Sequence, residues 1–135
     1  NTSLGMEMTY DAGRSKWLSS ESWYIIFVYN GRANNRYMKY GNLSLASDRG
    51  VCAPRNVTVT ELSFVRRSNN AQPTYTVYDS GTATAAALQA ASNTTNDQAD
   101  LTVNVDIAAG AILGAFVSGG EARDTTFTVK MRYRA

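Results

Sequence analysis

Residues 51–67 read VCAPRNVTVTELSFVRR, and the way their apolar side chains alternate decides the fold. Pro54 fixes its own φ and steers Ala53 away from the helical region, and Asn56 suits a turn, so a strand is predicted to start near Val57. Val57 and Val59 point one way along it. The next large apolar residues, Leu62 and Phe64, fall on the opposite parity. Because strand side chains alternate with period two, this slip requires a bulge or bend near Thr60 and Glu61, or a strand that leaves one sheet for another. Sandwiches turn corners by the second route, and on that ground jelly-roll connectivity is expected.

The same period recurs outward from this stretch. Leu101, Val103, Val105 and Ile107 alternate with Thr102, Asn104 and Asp106, and Ala108-Ala109-Gly110 turns that strand into residues 111–117, where Gly114 and Ala115 admit a backbone or an aromatic ring. Phe127, Val129, Met131 and Tyr133 alternate with Thr128, Lys130, Arg132 and Arg134. Near the other end Met6, Met8 and Tyr10 alternate into the turn Asp11-Ala12-Gly13. The predicted hairpin returns with Lys16 and Leu18 on one face and Ser15, Trp17 and Ser19 on the other. Trp17 is read as a packing anchor.

Residues 30–35 read as a loop, 36–40 as a tyrosine-rich strand, 68–73 as a polar loop, and Thr74 as the start of a strand closed by Asp79-Ser80-Gly81. Residues 82–91, TATAAALQAA, are a strand or a strand with one helical turn, since the alanines favour helix while the neighbouring segments alternate. Residues 92–99 read as an exposed loop and 118–124 as a polar connection. Short strands spaced by turns predict an all-β chain, an antiparallel β-sandwich of jelly-roll type. It forms a single domain over residues 1–135, complete or the C-terminal part of a longer chain.

Composition narrows the chemistry. Over 135 residues, 18% are charged, 44% are hydrophobic and two are Pro, which is a globular balance able to form a core without staples. A net charge of +2 gives no argument for nucleic acid or an anionic membrane. The chain has no histidine, which removes the commonest general base, the Ser-His and Cys-His couples and the usual zinc ligands. Its one cysteine, Cys52, has no partner for an intrachain disulfide and reads as a small buried residue. No apolar run of about 18 residues suggests a membrane span. The carboxylates Glu7, Glu21, Glu61, Asp106, Glu121 and Asp124 are scattered, with no spacing that pairs any two for hydrolysis. Asp97 and Asp100 read as turn carboxylates rather than calcium ligands. The Asn-x-Ser/Thr triplets at Asn42, Asn56 and Asn93 occur no more often than chance allows in so Asn- and Thr-rich a chain. No catalytic, metal-binding or cofactor-binding residue is assigned, and no cofactor is expected.

Two surfaces stand out. Residues 21–29, ESWYIIFVY, are apolar on both parities, with Trp23, Ile25, Phe27 and Tyr29 opposite Tyr24, Ile26 and Val28. An antiparallel strand normally wets one face, so the second apolar face is either a subunit interface or covered by another loop of its own chain. Trp23, Tyr24, Ile26 and Val28 are the candidate interface residues. Farther on, Arg32, Arg36 and Lys39 are interleaved with Tyr29, Tyr37 and Tyr40. Arg32, Arg36, Tyr37, Lys39 and Tyr40 are the candidate surface-binding residues. A solvated rim or a carbohydrate-facing surface suits them better than base stacking, which would call for a larger positive charge.

Two further stretches carry a resemblance. YDAGRSKWLS at 10–19 is similar to an Asp-x-x-Arg-x-Lys-Trp-Leu-Ser opening, and LTVNVDIAAGAILGAFVSG at 101–119 to an Asn-Val-Asp-hydrophobic-x-x-Gly segment leading into a penultimate strand. In that order, with the strand after Pro54-Arg55-Asn56 between them, they resemble C-terminal β-sandwich domains of virion surface proteins of tailed bacteriophages. The motifs are short and structural, and the similarity extends over most of the chain. The resemblance implies a non-enzymatic virion structural protein on the particle exterior, a trimeric fibre or spike head for attachment to the host surface. The alternative is a capsid decoration (cement) protein that stabilises neighbouring capsid subunits. It further implies a homotrimer and contacts with other capsid or tail proteins. A host-surface glycan or protein is a further expected partner, with no nucleic acid and no membrane insertion.

Overall fold

The computed structural model describes residues 5–99 and 102–135, and every regular element among them is a β-strand. In chain order these are β1 (Met8–Asp11), β2 (Lys16–Ser19), β3 (Trp23–Ala33), β4 (Arg36–Tyr37), β5 (Lys39–Tyr40), β6 (Leu43–Ser44) and β7 (Val51–Cys52). They continue as β8 (Val57–Arg67), β9 (Thr74–Asp79), β10 (Thr82–Gln89), β11 (Asn96–Ala99), β12 (Val105–Ile107), β13 (Ile112–Ser118) and β14 (Ala122–Tyr133). The larger sheet runs β11-β8-β14-β3-β5-β6, with β12 also on β8; the smaller runs β10-β9-β13-β4, with β7 also on β13. All pairings are antiparallel, and after β8 the chain passes repeatedly between the two layers, as in a jelly roll. The hairpin β1-β2 forms a small sheet of its own.

The core lies between the layers. Tyr75 of the smaller sheet inserts between Phe64 and Phe127 of the larger, with ring centroids 5.0 and 5.3 Å away and the planes nearly parallel. Its buried hydroxyl lies 2.7 Å from Thr125 Oγ1, and Thr125 Oγ1 is placed to donate to the Val65 carbonyl at 2.8 Å. Thr125 has one hydroxyl proton, so with that proton on Val65 the Tyr75 hydroxyl donates to Thr125, and each polar atom is satisfied. Burial pushes the Tyr75 hydroxyl pKa above its ordinary value.

The phase slip in β8 is a bulge. β14 pairs Lys130 with Glu61 and then Met131 with Val59, so Thr60 is the extra residue. Val57, Val59, Leu62 and Phe64 consequently all face the core although their parities differ. β8 stays in one sheet throughout, which corrects the corner expected there. The corner lies at Met38: β4 pairs with β13 in the smaller sheet, whereas β5 pairs with β3 in the larger. Buried Met38 sits at the crossing and donates its N–H to Ala115 O at 2.8 Å. The loop expected at 30–35 shrinks to Asn34 and Asn35, because β3 runs on to Ala33 opposite β14.

Residues 82–89 form strand without a helical turn, but with irregular register. Ala83 faces Tyr78 and Ala87 faces Thr76, so the alanine run is accommodated by bulging. Thr84 Oγ1 donates to Val77 O and accepts from Ala86 N, replacing ladder bonds that the bulge removes. The two-residue turn before it is Ser80-Gly81, both with positive φ, 49° and 87°. That is the mirror-image turn favoured in hairpins, and it suits glycine at the second position. The loop expected at 92–99 contains β11, paired along Leu62 to Val65 of β8.

On the same edge of β8, β12 pairs only with residues 57–59, leaving a gap opposite the bulge. The clean strand expected from Leu101 is thereby cut to three residues; Leu101 itself and Asp100 lie outside the described residues. Val103 and Ile107 still face inward as the alternation predicts. Arg14 fills the gap. It is 8% exposed and donates from Nε to Val103 O at 2.7 Å, from Nη2 to Thr60 O at 2.8 Å, and from Nη1 to Asp11 Oδ2 at 2.9 Å. Arg132 of β14 ties the same hairpin down, donating to Ser19 O and to Thr9 Oγ1. Beside it Lys16 Nζ and Thr58 Oγ1 both donate to Asp106 Oδ1 at 2.7 Å. The three stretches that carry the resemblance therefore meet in space, and Asp11, Arg14, Lys16 and Asp106 work as structural clamps.

These clamps make stability pH-dependent. Burial raises the Asp11 and Asp106 pKa values, but hydrogen bonds from Arg14, and from Lys16 and Thr58, together with nearby cationic charge, hold both below 3.8 on balance. A carboxyl depressed on folding contributes stability that is complete above its unfolded pKa and is lost as pH falls through its folded pKa. Urea midpoints are therefore expected to stay level above about pH 5 and to fall below about pH 4, with a shallower fall in Asp106→Asn. A midpoint that does not change down to about pH 2.5 would contradict the clamp.

Two further expectations are corrected. Cys52 is exposed, because on the two-residue β7 it is the neighbour Ala53 that turns into the core. Trp17 is 55% exposed and meets Tyr10 edge-on at 5.6 Å on the outer face of the hairpin, while Leu18 supplies the buried anchor.

Candidate functional site

The first candidate surface is the outer face of the larger sheet. Strand alternation puts Tyr24, Ile26 and Val28 of β3 outward, and register sets Val28, Thr126 and Val65 in one row, Ile26, Thr128 and Ser63 in the next, and Tyr24, Lys130 and Glu61 in the third. Tyr24, Ile26 and Val65 are 58%, 51% and 58% exposed, so no loop among the described residues covers this face. Trp23 is corrected: it shares the inward parity of Ile25 and Phe27 and stacks on Tyr133 at 6.3 Å. Val65 takes its place on the outer face. Its outward parity follows from the slip read at Thr60, since it is opposite to that of Leu62 and Phe64, but only the register sets it in one row with Val28.

At its Tyr24 end the patch is bordered by charge that is internally neutralised. Lys130 Nζ donates to Glu61 Oε1 at 2.8 Å and lies 5.8 Å from the Tyr24 ring centroid. The Glu61 bond raises the Lys130 pKa against the opposing effect of burial. The middle of the face is aliphatic and hydroxylic, with no like charges to repel a partner.

The second surface is a cleft of about 380 Å³ at the mouth between the two sheets, where the chain crosses at Met38. Of the five residues predicted for surface binding, Arg36, Tyr37 and Lys39 line it, together with Tyr29, Asn35, Ser44, Leu45 and Phe116. The fold does not bring Arg32 and Tyr40 into the lining. Arg32 faces Glu121 at 3.8 Å, and Tyr40, next to Lys39 on β5, is exposed to solvent. Tyr29 was legible as an aromatic among cations, but Phe116 comes from a distant strand that only register places beside Tyr37.

The cleft is ordered by its aromatics. Arg36 Nη1 donates to the Tyr29 hydroxyl at 2.6 Å, and Arg36 Cζ and Lys39 Nζ lie 5.6 and 5.8 Å from the same ring centroid. Tyr37 meets Phe116 and Tyr78 edge-on at 5.1 and 5.5 Å, and its ring lies over Gly114. Burial, then the neighbouring Tyr78, push the Tyr37 pKa up, so it remains a neutral phenol.

Among the described residues no group of three or more His, Cys, Asp or Glu is placed to hold a metal ion, and no helix is long and apolar enough to cross a membrane. Neither a family model nor a curated protein matches the sequence. Among solved structures the chain is similar to a protein described as FlhE, at 11% identity over 85% of this chain and 97% of that one, with a TM-score of 0.36. A likeness that distant bears on neither site.

Proposed function

We propose that this chain is a non-enzymatic structural domain on the exterior of a bacteriophage particle, the head of a trimeric fibre or spike that attaches to the host surface. The observation that carries the reading is the exposed apolar face of Tyr24, Ile26 and Val65, with half-buried Val28 beside them, on an otherwise well-packed sandwich. A monomer in water gains nothing by leaving such a face flat and wet, whereas packing it against further copies of the chain removes it from solvent. The sequence motifs supply the particle and the preference for three copies, and the jelly-roll connectivity is compatible with both. The carboxylates support the absence of catalysis, since Asp11, Glu61, Asp106 and Glu121 are each engaged by a Lys or Arg within the fold.

Antibody labelling of intact particles tests this placement. Gold at the tips of tail-associated projections is expected. Uniform labelling of the capsid lattice would instead favour the decoration role, and no label on particles would overturn the virion reading.

A further inference from the structure

We propose that the cleft at Arg36 and Lys39 binds a carboxylated sugar. The inference deepens the attachment reading by giving it a ligand class, and rests on that reading for its biological occasion. Its physical basis is separate. Several cations of the same sheets are paired with carboxylates: Arg32 and Arg123 share Glu121, Lys130 meets Glu61 and Arg132 meets Asp11. Arg66 of β8 is instead spent on the Thr94 and Ala91 carbonyls and Asn69, and Arg67, which has no carboxylate partner among the described residues either, lies outside the cleft lining. Arg36 and Lys39 have no carboxylate within ion-pairing distance among the described residues; what holds them is the Tyr29 ring and hydroxyl. Two positive charges are thus set side by side at the rim of a cleft without an internal counter-charge.

One Arg36 N–H is used on Tyr29, which orients the guanidinium and leaves further donors for a planar, bidentate carboxylate. Ordering both cations in the free protein reduces the entropy lost when an anion arrives. The rest of the lining suits a sugar ring. Tyr37 and Phe116 present aromatic surface fixed by their mutual contact. The side chains of Asn35 and Ser44, which make no hydrogen bond among the described residues, are available to ring hydroxyls. The volume of about 380 Å³ lies in the range of small-molecule sites. Two cations form no track along which successive phosphates of a nucleic acid would lie.

The test is an amide NMR titration of the whole chain at low salt. The probes are methyl glucuronide and N-acetylneuraminic acid, with methyl glucoside, inorganic phosphate, a glutamate-rich peptide and oligothymidylate as comparisons. The acidic sugars are expected to shift amides near residues 35–39, 44 and 116. They should bind about tenfold or more tightly than the neutral glucoside, the loss that follows from removing one charged hydrogen-bonded partner. Arg36→Gln is expected to weaken that binding about tenfold with an unchanged circular dichroism spectrum. If it does not fold, Lys39→Gln and the weakening of native binding by added salt serve in its place. Absence of acidic-sugar binding, equal binding of the glucoside, or equal or tighter binding of phosphate, peptide or oligonucleotide would each overturn the proposal. Particle labelling is independent of this titration, so failure of the cleft and failure of the virion placement are read separately.

Discussion

Replacing Arg14 with Met is expected to lower stability by about 3–5 kcal/mol, a large share of the 5–15 kcal/mol that holds an ordinary domain together. Three losses coincide. The carbonyls of Thr60 and Val103 lose their side-chain donor inside the sheet edge, and Asp11 loses its nearer cation. Each orphaned buried acceptor alone costs about 1–3 kcal/mol, and Met supplies volume but no donor. Chemical unfolding measures the effect, and the melting temperature should drop by roughly 10–20 °C. Arg14→Lys is expected to recover only part, because one ammonium cannot reproduce the fork that reaches three acceptors in different directions. Changing Asp11 to Asn in the Met background should cost less than in the native chain, since its carboxylate has already lost Arg14. A loss below about 1 kcal/mol for Arg14→Met would show that the bulge and the β11–β12 gap hold without their plug.

The second large effect is on assembly. Ile26→Asp should convert the proposed trimer into monomers of 14.7 kDa in light scattering, with the β spectrum retained. Ile26 points outward in the middle row of the face beside Thr128 and is 51% exposed, so an aspartate there remains hydrated in the free subunit. The fold should lose no more than about 1 kcal/mol, the span of strand preferences at exposed positions. Between subunits the same carboxylate would be buried without a cation, at about 3–5 kcal/mol, which is two or more decades of subunit affinity. Trp23→Ala is the contrasting change. Trp23 stacks inward on Tyr133, so its loss should lower stability before it affects assembly. A native chain that stays monomeric at high concentration, or an Ile26→Asp chain that still assembles, would remove the outer face as the interface.

Alternation alone was enough for the class of fold and for much of the core. Val57 with Val59, Phe127 through Tyr133, and Val103 with Ile107 face inward as their period requires, because a strand offers only two directions and water decides between them. The slip at Thr60 was equally legible as a defect. Which defect it was depended on β14, whose register makes it a bulge, while the sheet change fell at Met38 in a segment whose sequence reads as one strand. Local sequence carries period but not partner, so it placed Arg36, Tyr37 and Lys39 together, and could not place Phe116 beside them or remove Arg32 and Tyr40. The same limit hid Arg14: an arginine after a turn looks solvated until strands distant in sequence bring the Thr60 and Val103 carbonyls and the Asp11 carboxylate around it. Period is a property of neighbours along the chain. Burial of a charge, the exposure of Cys52 and Trp17, and the meeting of two cations over Tyr29 depend on which strands pair, and that is fixed only when the whole sandwich closes.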